Sequence, residues 1–328
     1  MIGETQLMVE SELQSAPSLT PLVSVAITAY NSAAWLSRAI DSVLEQRTSF
    51  PFEIVIGDDC SADATVRIAR EYHDRLPHVI RILERPTNLG IQRNYYETFE
   101  QCRGKFIAWL DADDYWTDPE KLTVQAETME SNPSITLCCH FVREVTDQGT
   151  IKRDKSPLIS AGSYGLDQIL RSNFVPSPSA MFRNGIHRLL PAWYFDLAPI
   201  TDWPIWVLAA CTGKIVLLDR VMADYMLNSG SAFAGRGAVF AYKMDAEFYE
   251  KIESVLPAKW HPLVRAEKRK RYESMAYLYR MQGDYPAYRN AAFRAFCSPA
   301  PMENVGSKTK TLLAAVARHA LWRFQRRR

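Results

Sequence analysis

The chain has 328 residues, of which 47% are hydrophobic and 23% charged, with 14 glycines and 18 prolines. These values are typical of a folded globular protein and exclude collagen-like, low-complexity, disordered and disulfide-scaffold classes. No apolar run approaches the roughly 20 residues that span a bilayer. The polar segment 1–20 lacks the basic start and apolar centre of a secretory signal. We therefore expect a cytoplasmic protein whose N-terminus is flexible over 1–20.

The net charge of +2 conceals an uneven distribution along the chain. From His261 onward there are 15 Lys and Arg against 4 Asp and Glu, whereas the preceding part carries 24 basic and 33 acidic residues. The basic end has no interleaved base-stacking motif, so we expect no nucleic-acid partner. The six cysteines form no CxxC motif and no zinc spacing, and we expect reduced thiols in the core.

Apolar runs alternate with helical patterns in the first third of the chain. The predicted strands are 22–27, 52–56, 78–83 and 106–110. The predicted helices are 33–46, 61–72 and 92–101. Continuous apolar strands that alternate with helices through short connections indicate a parallel sheet covered on both faces, an α/β doubly wound domain.

The later part of the chain is less regular. A mixed segment over 159–183 precedes a predicted helix at 203–211 and a strand at 215–218. From 265 to 297 the pattern is helical, with a turn at 282–284, and its spacing resembles one helix-turn-helix unit of the tetratricopeptide kind. We expect a first domain over 21–235 and a C-terminal helical region over 236–328.

Polar clusters follow three of the predicted strands: Thr28 to Asn31, Asp58-Asp59, and Asp111-Ala-Asp113-Asp114. Ligands of parallel sheets bind beyond the carboxyl ends of the strands. Two carboxylates two residues apart can converge on one divalent cation, and oxygen ligands favour Mg²⁺ or Mn²⁺. The alternative is a solvated acidic turn before the next helix.

Asp58 can accept hydrogen bonds from a nucleobase imide or from ribose hydroxyls, because Ser61 or Asp63 is available to cap the next helix. The alternative is that Asp58 belongs to that acidic cap. The chain has neither the GxGxxG dinucleotide fingerprint after the first strand nor a GxxxxGK[ST] phosphate loop.

Four motifs stand in an order and spacing that resemble the family 2 glycosyltransferases. They are VSVAITAYN at 23–31, DDCSAD at 58–63, Asn88-Leu-Gly90 with Arg93-Asn94, and LDADD at 110–114. The resemblance implies a GT-A fold, a doubly wound and mostly parallel sheet flanked by helices, here with an all-helical C-terminal extension. It also implies inverting transfer of a sugar from a nucleotide diphosphate donor, with Mn²⁺ or Mg²⁺, to an acceptor hydroxyl in cell-surface polysaccharide or glycoconjugate assembly.

By the same resemblance, each motif has an expected role. The residues expected to bind the nucleotide are Ala29, Tyr30, Asn31, Asp58, Arg93 and Asp111. Asp113 is expected to hold the metal together with Asp111. The residues expected near the sugar and acceptor are Ser177, Ser179, Arg183 and Trp203. Uridine or thymidine diphosphate is the expected carrier of the sugar.

Asp202 lies in Thr201-Asp-Trp-Pro204, which resembles the acidic motif that carries the catalytic base in this family. One base that deprotonates the acceptor hydroxyl suffices for inversion. The alternative is an N-cap for the following helix. Met226 and Asn228 stand where the family often has Arg and His, which leaves a third protein contact to the metal open.

Two other functions remain to be weighed against glycosyl transfer. A non-catalytic sugar-nucleotide-binding or scaffold protein could retain this fold. A nucleotidyltransferase would share the sheet, but it needs a glycine- and lysine-rich loop after the first strand, and residues 30–34 do not provide one.

The segment 308–328 has an apolar stripe surrounded by arginines. The stripe consists of Leu312, Val316, Ala320 and Phe324. Such a basic amphipathic helix can lie on an anionic membrane, where a lipid-linked acceptor would be found. The alternative is a terminal helix docked on the protein with its basic face in water.

Overall fold

A computed structural model describes residues 20–146, 148, 151–153, 159–227 and 236–298. The chain divides into two compact units between Asn228 and Ser229. The predicted flexible N-terminus, apart from its last residue, and the predicted amphipathic tail lie outside the described residues. No described helix is both long and apolar enough to cross a bilayer.

The first unit contains ten strands and six α-helices among its described residues. The strands are β1 (Val23–Ala29), β2 (Phe52–Asp58), β3 (Ile80–Glu84), β4 (Phe106–Asp111), β5 (Tyr115–Trp116), β6 (Ile135–Thr146), β7 (Ile151–Arg153), β8 (Gly162–Tyr164), β9 (Met181–Arg183) and β10 (Lys214–Leu227). The helices are α1 (Leu36–Leu44), α2 (Thr65–Arg75), α3 (Ile91–Glu100), α4 (Lys121–Ser131), α5 (Leu166–Arg171) and α6 (Trp203–Thr212).

The strands form one mixed sheet in the order β3-β2-β1-β4-β9-β6-β10-β5, with β7 beside β6 and β8 beside β10. The four strands β3, β2, β1 and β4 are parallel to one another, and β9 runs antiparallel to both β4 and β6. Every residue of β1 and β2 is buried, because helices cover both faces of a parallel sheet. The predicted doubly wound architecture is confirmed.

The predicted strand at 215–218 is only the start of β10, which continues to Leu227. Its pairing with β6 shifts register between Leu218 and Val221 and again between Val221 and Ala223. These irregularities accommodate Asp219 and Arg220, two charged residues that interrupt the apolar pattern. For that reason the sequence pattern ends before the strand does.

Gly57 allows α3 to approach β2 closely. A Cβ atom at this position would lie 2.0 Å from Thr98 Oγ1, so only glycine fits. Asn94 Nδ2 donates to Gly57 O at 2.9 Å and secures the contact. This packing places the first turns of α3 next to the carboxyl ends of β1, β2 and β4.

Glu53 lies at the opposite, amino-terminal end of β2 and is only 2% exposed. Its carboxylate accepts hydrogen bonds from Ser24 Oγ at 2.6 Å and Arg103 Nη2 at 2.7 Å, and it pairs with Arg81 at 3.2 Å. Burial alone raises the pKa of Glu53, but the hydrogen bonds from Ser24 and Arg103 outweigh burial and lower it. This end of the sheet therefore carries a buried charge that is fully compensated.

The described part of the second unit is helical, as expected. It comprises α7 (Gly237–Ile252), α8 (His261–Met281) and α9 (Tyr285–Cys297). A short turn at 282–284 joins α8 to α9, and the side chain of Asp284 accepts from Ala287 N at 3.1 Å to cap α9. Tyr272, Ala276, Tyr288 and Ala292 belong to the core of this unit.

The six cysteines are free thiols, as predicted, but the expectation that they lie in the core is wrong for half of them. Cys102, Cys138 and Cys139 are buried. The exposed ones are Cys60, Cys211 and Cys297. Cys60 lies in a loop with a positive φ of 62°, and the other two lie at or near helix ends, where an apolar neighbourhood in sequence does not ensure burial.

Candidate active site at the carboxyl edge of the sheet

Three strand ends meet at one edge of the sheet. In the register of β1 with its neighbours, Ala29 pairs with Asp58 and Thr28 pairs with Asp111. Beyond the strands, Asp59 N donates to Ala29 O at 2.9 Å, so the chain after β2 stays beside β1. The structure thus brings together three polar clusters that are separated by up to 80 residues of sequence.

The loops that follow β1 and β2 are tied to each other through Ser61. Asn31 N donates to Ser61 Oγ at 2.9 Å, and Asn31 Oδ1 accepts from Ala62 N at 2.9 Å. Ser61 N and Ser61 Oγ both donate to the Asp58 carboxylate, at 2.9 and 2.5 Å. The sequence led us to expect that Asp58 is free to accept hydrogen bonds from a ligand. In the structure, Ser61 of its own loop already binds its carboxylate. Tyr30 stands at the rim, 54% exposed.

Asp59 holds the loop that leads into α3. Its carboxylate accepts from Leu89 N at 2.7 Å and from Gly90 N at 3.1 Å. Arg93 follows in the first turn of α3, where its guanidinium lies 4.7 Å from the ring centroid of Phe195. The structure thus places an exposed arginine next to the predicted nucleotide end of the sheet.

Four side chains donate hydrogen bonds to the carboxylate of Asp111. Oδ1 accepts from Thr28 Oγ1 at 3.1 Å, from Tyr95 OH at 2.6 Å and from Trp109 Nε1 at 3.1 Å. Oδ2 accepts from Ser177 Oγ at 2.9 Å. The donors come from β1, α3, β4 and the 3₁₀ turn at 177–179, so Asp111 is positioned by four separate elements.

Tyr95 and Trp109 were not predicted to take part in the site. Trp109 lies two residues before Asp111 in β4, and alternation along a strand places both side chains on one face of the sheet. Nothing in the sequence near Tyr95 indicates its contact, because that contact depends on how α3 packs. Burial, followed by the charge of Asp111, raises the pKa of Tyr95 well above its ordinary value, so the hydroxyl remains a donor.

Asp113 and Asp114 complete a group of three carboxylates in four residues. Asp114 is buried, and its Oδ1 accepts from Met226 N at 2.7 Å, whereas its Oδ2 has no hydrogen-bond partner in the described structure. Burial, followed by the charges of Asp113 and Asp111, raises the pKa of Asp114 well above its ordinary value. The turn therefore concentrates negative charge.

The described residues contain no group of three His, Cys, Asp or Glu side chains that could by themselves hold a metal ion. A Mg²⁺ or Mn²⁺ ion in a nucleotide site usually takes one or two carboxylates and completes its shell with phosphate oxygens and water. The oxygen-only donors of Asp111 and Asp113, beside the unpartnered oxygen of Asp114, fit an ion of that kind.

Asp202 caps α6. Its Oδ1 accepts from Trp203 N at 2.7 Å, both carboxylate oxygens lie 3.2 Å from Asn173 Nδ2, and Oδ2 lies 3.3 Å from Trp206 Nε1. Burial raises the pKa of Asp202, although the hydrogen bonds from Asn173 and Trp203 oppose that rise. The cap expected as the alternative is thus present.

Asp202 lines a cavity of about 260 Å³. The other residues that line it are His140, Phe141, Val142, Glu144, Asn173, Phe174, Val175, Pro176, Ser177, Leu217 and Tyr225. Because Ser177 also donates to Asp111, the cavity adjoins the acidic turn. Burial, followed by the charges of Asp114, Asp111, Asp202 and Asp113, raises the pKa of Tyr225, so all four carboxylates act on one phenol.

A pair of tryptophans connects the two carboxylate centres. The rings of Trp109 and Trp206 lie 5.5 Å apart between centroids. Trp109 donates to Asp111, and Trp206 donates to Asp202. Both rings are fully buried, so the separation of the two carboxylates is set by the packed core of the first unit.

Three residues expected near the sugar and acceptor are not brought to the cavity. Ser179 is fully buried and donates to Pro176 O at 2.7 Å. Trp203 is buried and donates from Nε1 to Ile169 O at 2.8 Å. Arg183 pairs with Phe106 at the far end of β4, where its guanidinium donates to backbone carbonyls of 129 and 135. All three side chains donate to backbone carbonyls instead. Asn228, the doubtful metal contact, lies outside the described residues.

A protein-family model matches the part of the chain that contains the three strand ends. The sequence model described as Glycosyl transferase family 2 matches residues 24–190, just over half of the chain. The chain belongs to glycosyl transferase family 2. The matched segment includes Asp58, Asp111 and Asp113, whereas Asp202 lies beyond it.

Two curated relatives extend the comparison. The uncharacterised protein Rv1520 of Mycobacterium tuberculosis is 35% identical over 204 residues, 62% of this chain and 58% of that protein. The chain thus spans less than two-thirds of the length of this relative. Chondroitin synthase of Escherichia coli is 32% identical over 133 residues, 40% of this chain and 18% of that protein. The chain is therefore related to an enzyme of polysaccharide biosynthesis.

Solved structures share the fold at low identity. Residues 1–349 of S. aureus TarS, in complex with UDP-GlcNAc, superpose with a TM-score of 0.63 at 19% identity, covering 89% of this chain and 88% of that one. The mannosyltransferase PcManGT of Pyrobaculum calidifontis, in complex with GDP-Man and Mn²⁺, gives 0.57 at 16% identity, covering 98% and 89%. The fold is of the GT-A type.

Proposed function

We propose that the protein is an inverting, metal-dependent glycosyltransferase that moves a sugar from a nucleotide diphosphate donor to an acceptor hydroxyl. The observation that carries the proposal is that two carboxylate centres lie beside one cavity. Asp111 and Asp113 form the first centre, and Asp202 forms the second. The donor is a UDP- or dTDP-sugar. The acceptor is a carbohydrate or lipid-linked glycan in cell-surface polysaccharide or glycoconjugate assembly, reached at the inner face of the membrane through the tail 308–328.

The donor binds across the carboxyl ends of β1, β2 and β4. Ala29, Tyr30 and Asn31 line the nucleobase pocket with Asp58, whose remaining lone pairs accept an imide N–H. Arg93 lies near the base or the diphosphate.

Asp111 receives the ribose, and its four hydrogen bonds keep the carboxylate in one orientation without further ordering when the donor arrives. Asp113 and Asp111 would hold Mg²⁺ or Mn²⁺, which supplies Lewis-acid neutralisation of the leaving diphosphate.

In the transfer step, Asp202 accepts the proton of the acceptor hydroxyl. The acceptor oxygen then forms a bond to the anomeric carbon as the bond from that carbon to the diphosphate oxygen breaks. The nucleotide diphosphate leaves with the electron pair of the broken bond. Attack from the opposite face inverts the anomeric centre, and no enzyme nucleophile is needed.

The first test separates binding from transfer. Asp202→Asn keeps a side-chain oxygen to cap α6 but cannot take a proton. We expect it to lower kcat by about 10²–10⁴-fold while donor binding, measured by calorimetry, stays within a factor of two or three of wild type. Asp284→Asn removes the charge of the cap of α9 and is the matched control, with no expected loss of transfer.

Unchanged transfer by Asp202→Asn would show that the base is assigned wrongly. Donor binding by a wild-type protein that transfers no sugar to any acceptor would favour the non-catalytic binding protein. A thermal-shift panel of nucleotide sugars with and without Mn²⁺ identifies the donor. We expect metal-enhanced stabilisation by at least one UDP- or dTDP-sugar, and a flat panel would contradict the proposal.

A further inference from the structure

Four large apolar side chains of the α8–α9 hairpin are exposed to water. The exposed fractions are 58% for Tyr277, 65% for Met281, 55% for Phe293 and 36% for Phe296. Scattered apolar residues are common on protein surfaces, but grouped ones mark a site of interaction.

Helical spacing groups them with two arginines. Tyr277 and Met281 are one turn apart on α8 with Arg280 between them, and all three are exposed. On α9 the exposed residues Arg289, Phe293 and Phe296 follow one another at the i, i+4 and i+7 positions of one stripe. We name these six residues the aromatic–arginine face.

On α8 this face points away from α7. α8 contacts α7 through Lys268, 3.9 Å from Glu250, and through Arg271, 2.8 Å from Asp245. Tyr277 follows Lys268 by nine residues, and Arg280 follows Arg271 by nine. Nine residues at about 100° each place a side chain on the opposite side of a helix.

The same holds for α9. Arg294 Nη1 lies 3.3 Å from Tyr272 OH, and that hydroxyl donates to Glu250 of α7 at 2.8 Å. Arg294 is therefore on the side of α9 that turns toward α7. Phe296 is two residues further on, about 200° around the helix. Both stripes thus lie on the side of the hairpin that faces away from α7.

The charge on and near this face is positive. Arg280 and Arg289 are exposed, the neighbouring carboxylate of Glu273 is bound to Arg269 at 2.7 Å, and the exposed carboxylate of Asp284 caps α9 by accepting from Ala287 N at 3.1 Å. The chain from 261 to 328 carries 15 basic and 4 acidic residues, so the tail 308–328 and a second copy of the hairpin are both positive as well. Like charge disfavours either of them as the occupant, whereas an anionic surface complements the face.

We propose that the aromatic–arginine face lies on an anionic membrane. Phe293, Phe296, Tyr277 and Met281 enter the headgroup region, and Arg280 and Arg289 pair with lipid phosphates. The benefit of this contact, access to a lipid-linked acceptor, rests on the proposed function, but binding itself requires no sugar transfer.

The test is flotation of the full chain with vesicles of phosphatidylcholine, with and without about 25% phosphatidylglycerol. We expect recovery with the anionic vesicles only. Arg280→Glu with Arg289→Glu, and separately Phe293→Ser with Phe296→Ser, should each lower the apparent partition coefficient at least about tenfold. Lys243→Glu with Lys259→Glu makes the same charge change on exposed residues outside the face and should bind like wild type.

Wild-type recovery by both face variants would overturn the proposal, and so would an absence of binding by the wild-type chain. If only Arg323→Glu with Arg326→Glu in the tail abolishes binding, the tail alone contacts the membrane and the face does not. If light scattering shows that the wild-type chain is a dimer and the face variants are monomers, the face is an interface with a second copy of the chain instead. The Asp202→Asn protein should float like wild type, which separates this proposal from that of transfer.

Discussion

A buried carboxylate lies at each end of the parallel strands, and its pKa is lowered at one end and raised at the other. At the amino-terminal end, Glu53 is paired with Arg103 and Arg81, and its hydrogen bonds lower its pKa. At the carboxyl end, Asp114 has one oxygen without a partner, and burial together with the neighbouring acids raises its pKa. Both residues are no more than 2% exposed, and they differ in the donors that their carboxylates receive: Glu53 is bound by Ser24 and Arg103, whereas one oxygen of Asp114 has no partner.

We infer from this difference that the amino-terminal end serves stability and that the carboxyl end serves the proposed binding. A buried charge with its partners in place contributes to the folded state, whereas uncompensated charge costs free energy and persists where a ligand later neutralises it. The acidic turn at 111–114 is therefore expected to gain stability from a cation and a nucleotide, and Glu53 is expected to be indifferent to both.

Of the substitutions that test this contrast, Asp113→Ala should have the largest effect on activity. We expect kcat/KM to fall by about 10³-fold, because the developing charge on the diphosphate is no longer neutralised. The melting temperature without metal should stay the same or rise, since one of the clustered carboxylates is gone. The measurements are initial rates and thermal melts with and without Mn²⁺. A variant that retained both its rate and its Mn²⁺-dependent shift would place the metal elsewhere.

Glu53→Gln tests the opposite end. We expect the free energy of unfolding to fall by about 1–3 kcal/mol, because charge-assisted hydrogen bonds from Arg103 and Ser24 are weakened at a buried position. Activity per folded molecule should not change. Urea denaturation checks the first expectation, and Glu71→Gln, which breaks an exposed pair with Arg67, is the control with little expected effect. A loss of activity per folded molecule would contradict the assignment of stability to one end of the strands and binding to the other.

The parallel half of the fold was predictable because its signals are local. β1, β2 and β4 are largely apolar runs that end in polar clusters, and parallel strands bring those ends to one edge. The later half was not predictable in the same way. The long strands β6 and β10 contain charged residues and register shifts, so neither shows a continuous apolar run, and β9 has only three residues.

The convergence of Asp58, Asp111 and Asp113 at one edge was predictable, because each lies in a motif next to a strand end. Tyr95 was not, because its contact with Asp111 arises only when α3 packs on the sheet. Arg183 shows the converse case. Its sequence neighbourhood suggested the acceptor pocket, but the antiparallel direction of β9 carries it to the far end of β4.

Asn173→Ala should shift the pH dependence of transfer. Asp202 must be ionised to act as the base, so the rate rises with pH through its pKa, which burial raises. The amide of Asn173 donates to the charged form, and its removal raises the pKa further. We therefore expect the acid limb of the kcat profile to move to higher pH, with little change at the plateau. Ser172→Ala, an exposed neighbour, should leave the profile unchanged.

Asp114→Asn should have the smallest effect and the opposite sign to Glu53→Gln. The folded-state pKa of Asp114 is raised above the unfolded value, so its contribution to stability is present at low pH and is lost as pH rises through the folded pKa. Asparagine does not titrate, so the variant should be more stable than wild type at neutral pH, by about 1 kcal/mol, and its melting temperature should vary less with pH. Thermal melts between acidic and neutral pH measure both effects. A variant that is less stable at neutral pH would show that the hydrogen bond from Met226 to the ionised carboxylate outweighs the repulsion from Asp111 and Asp113.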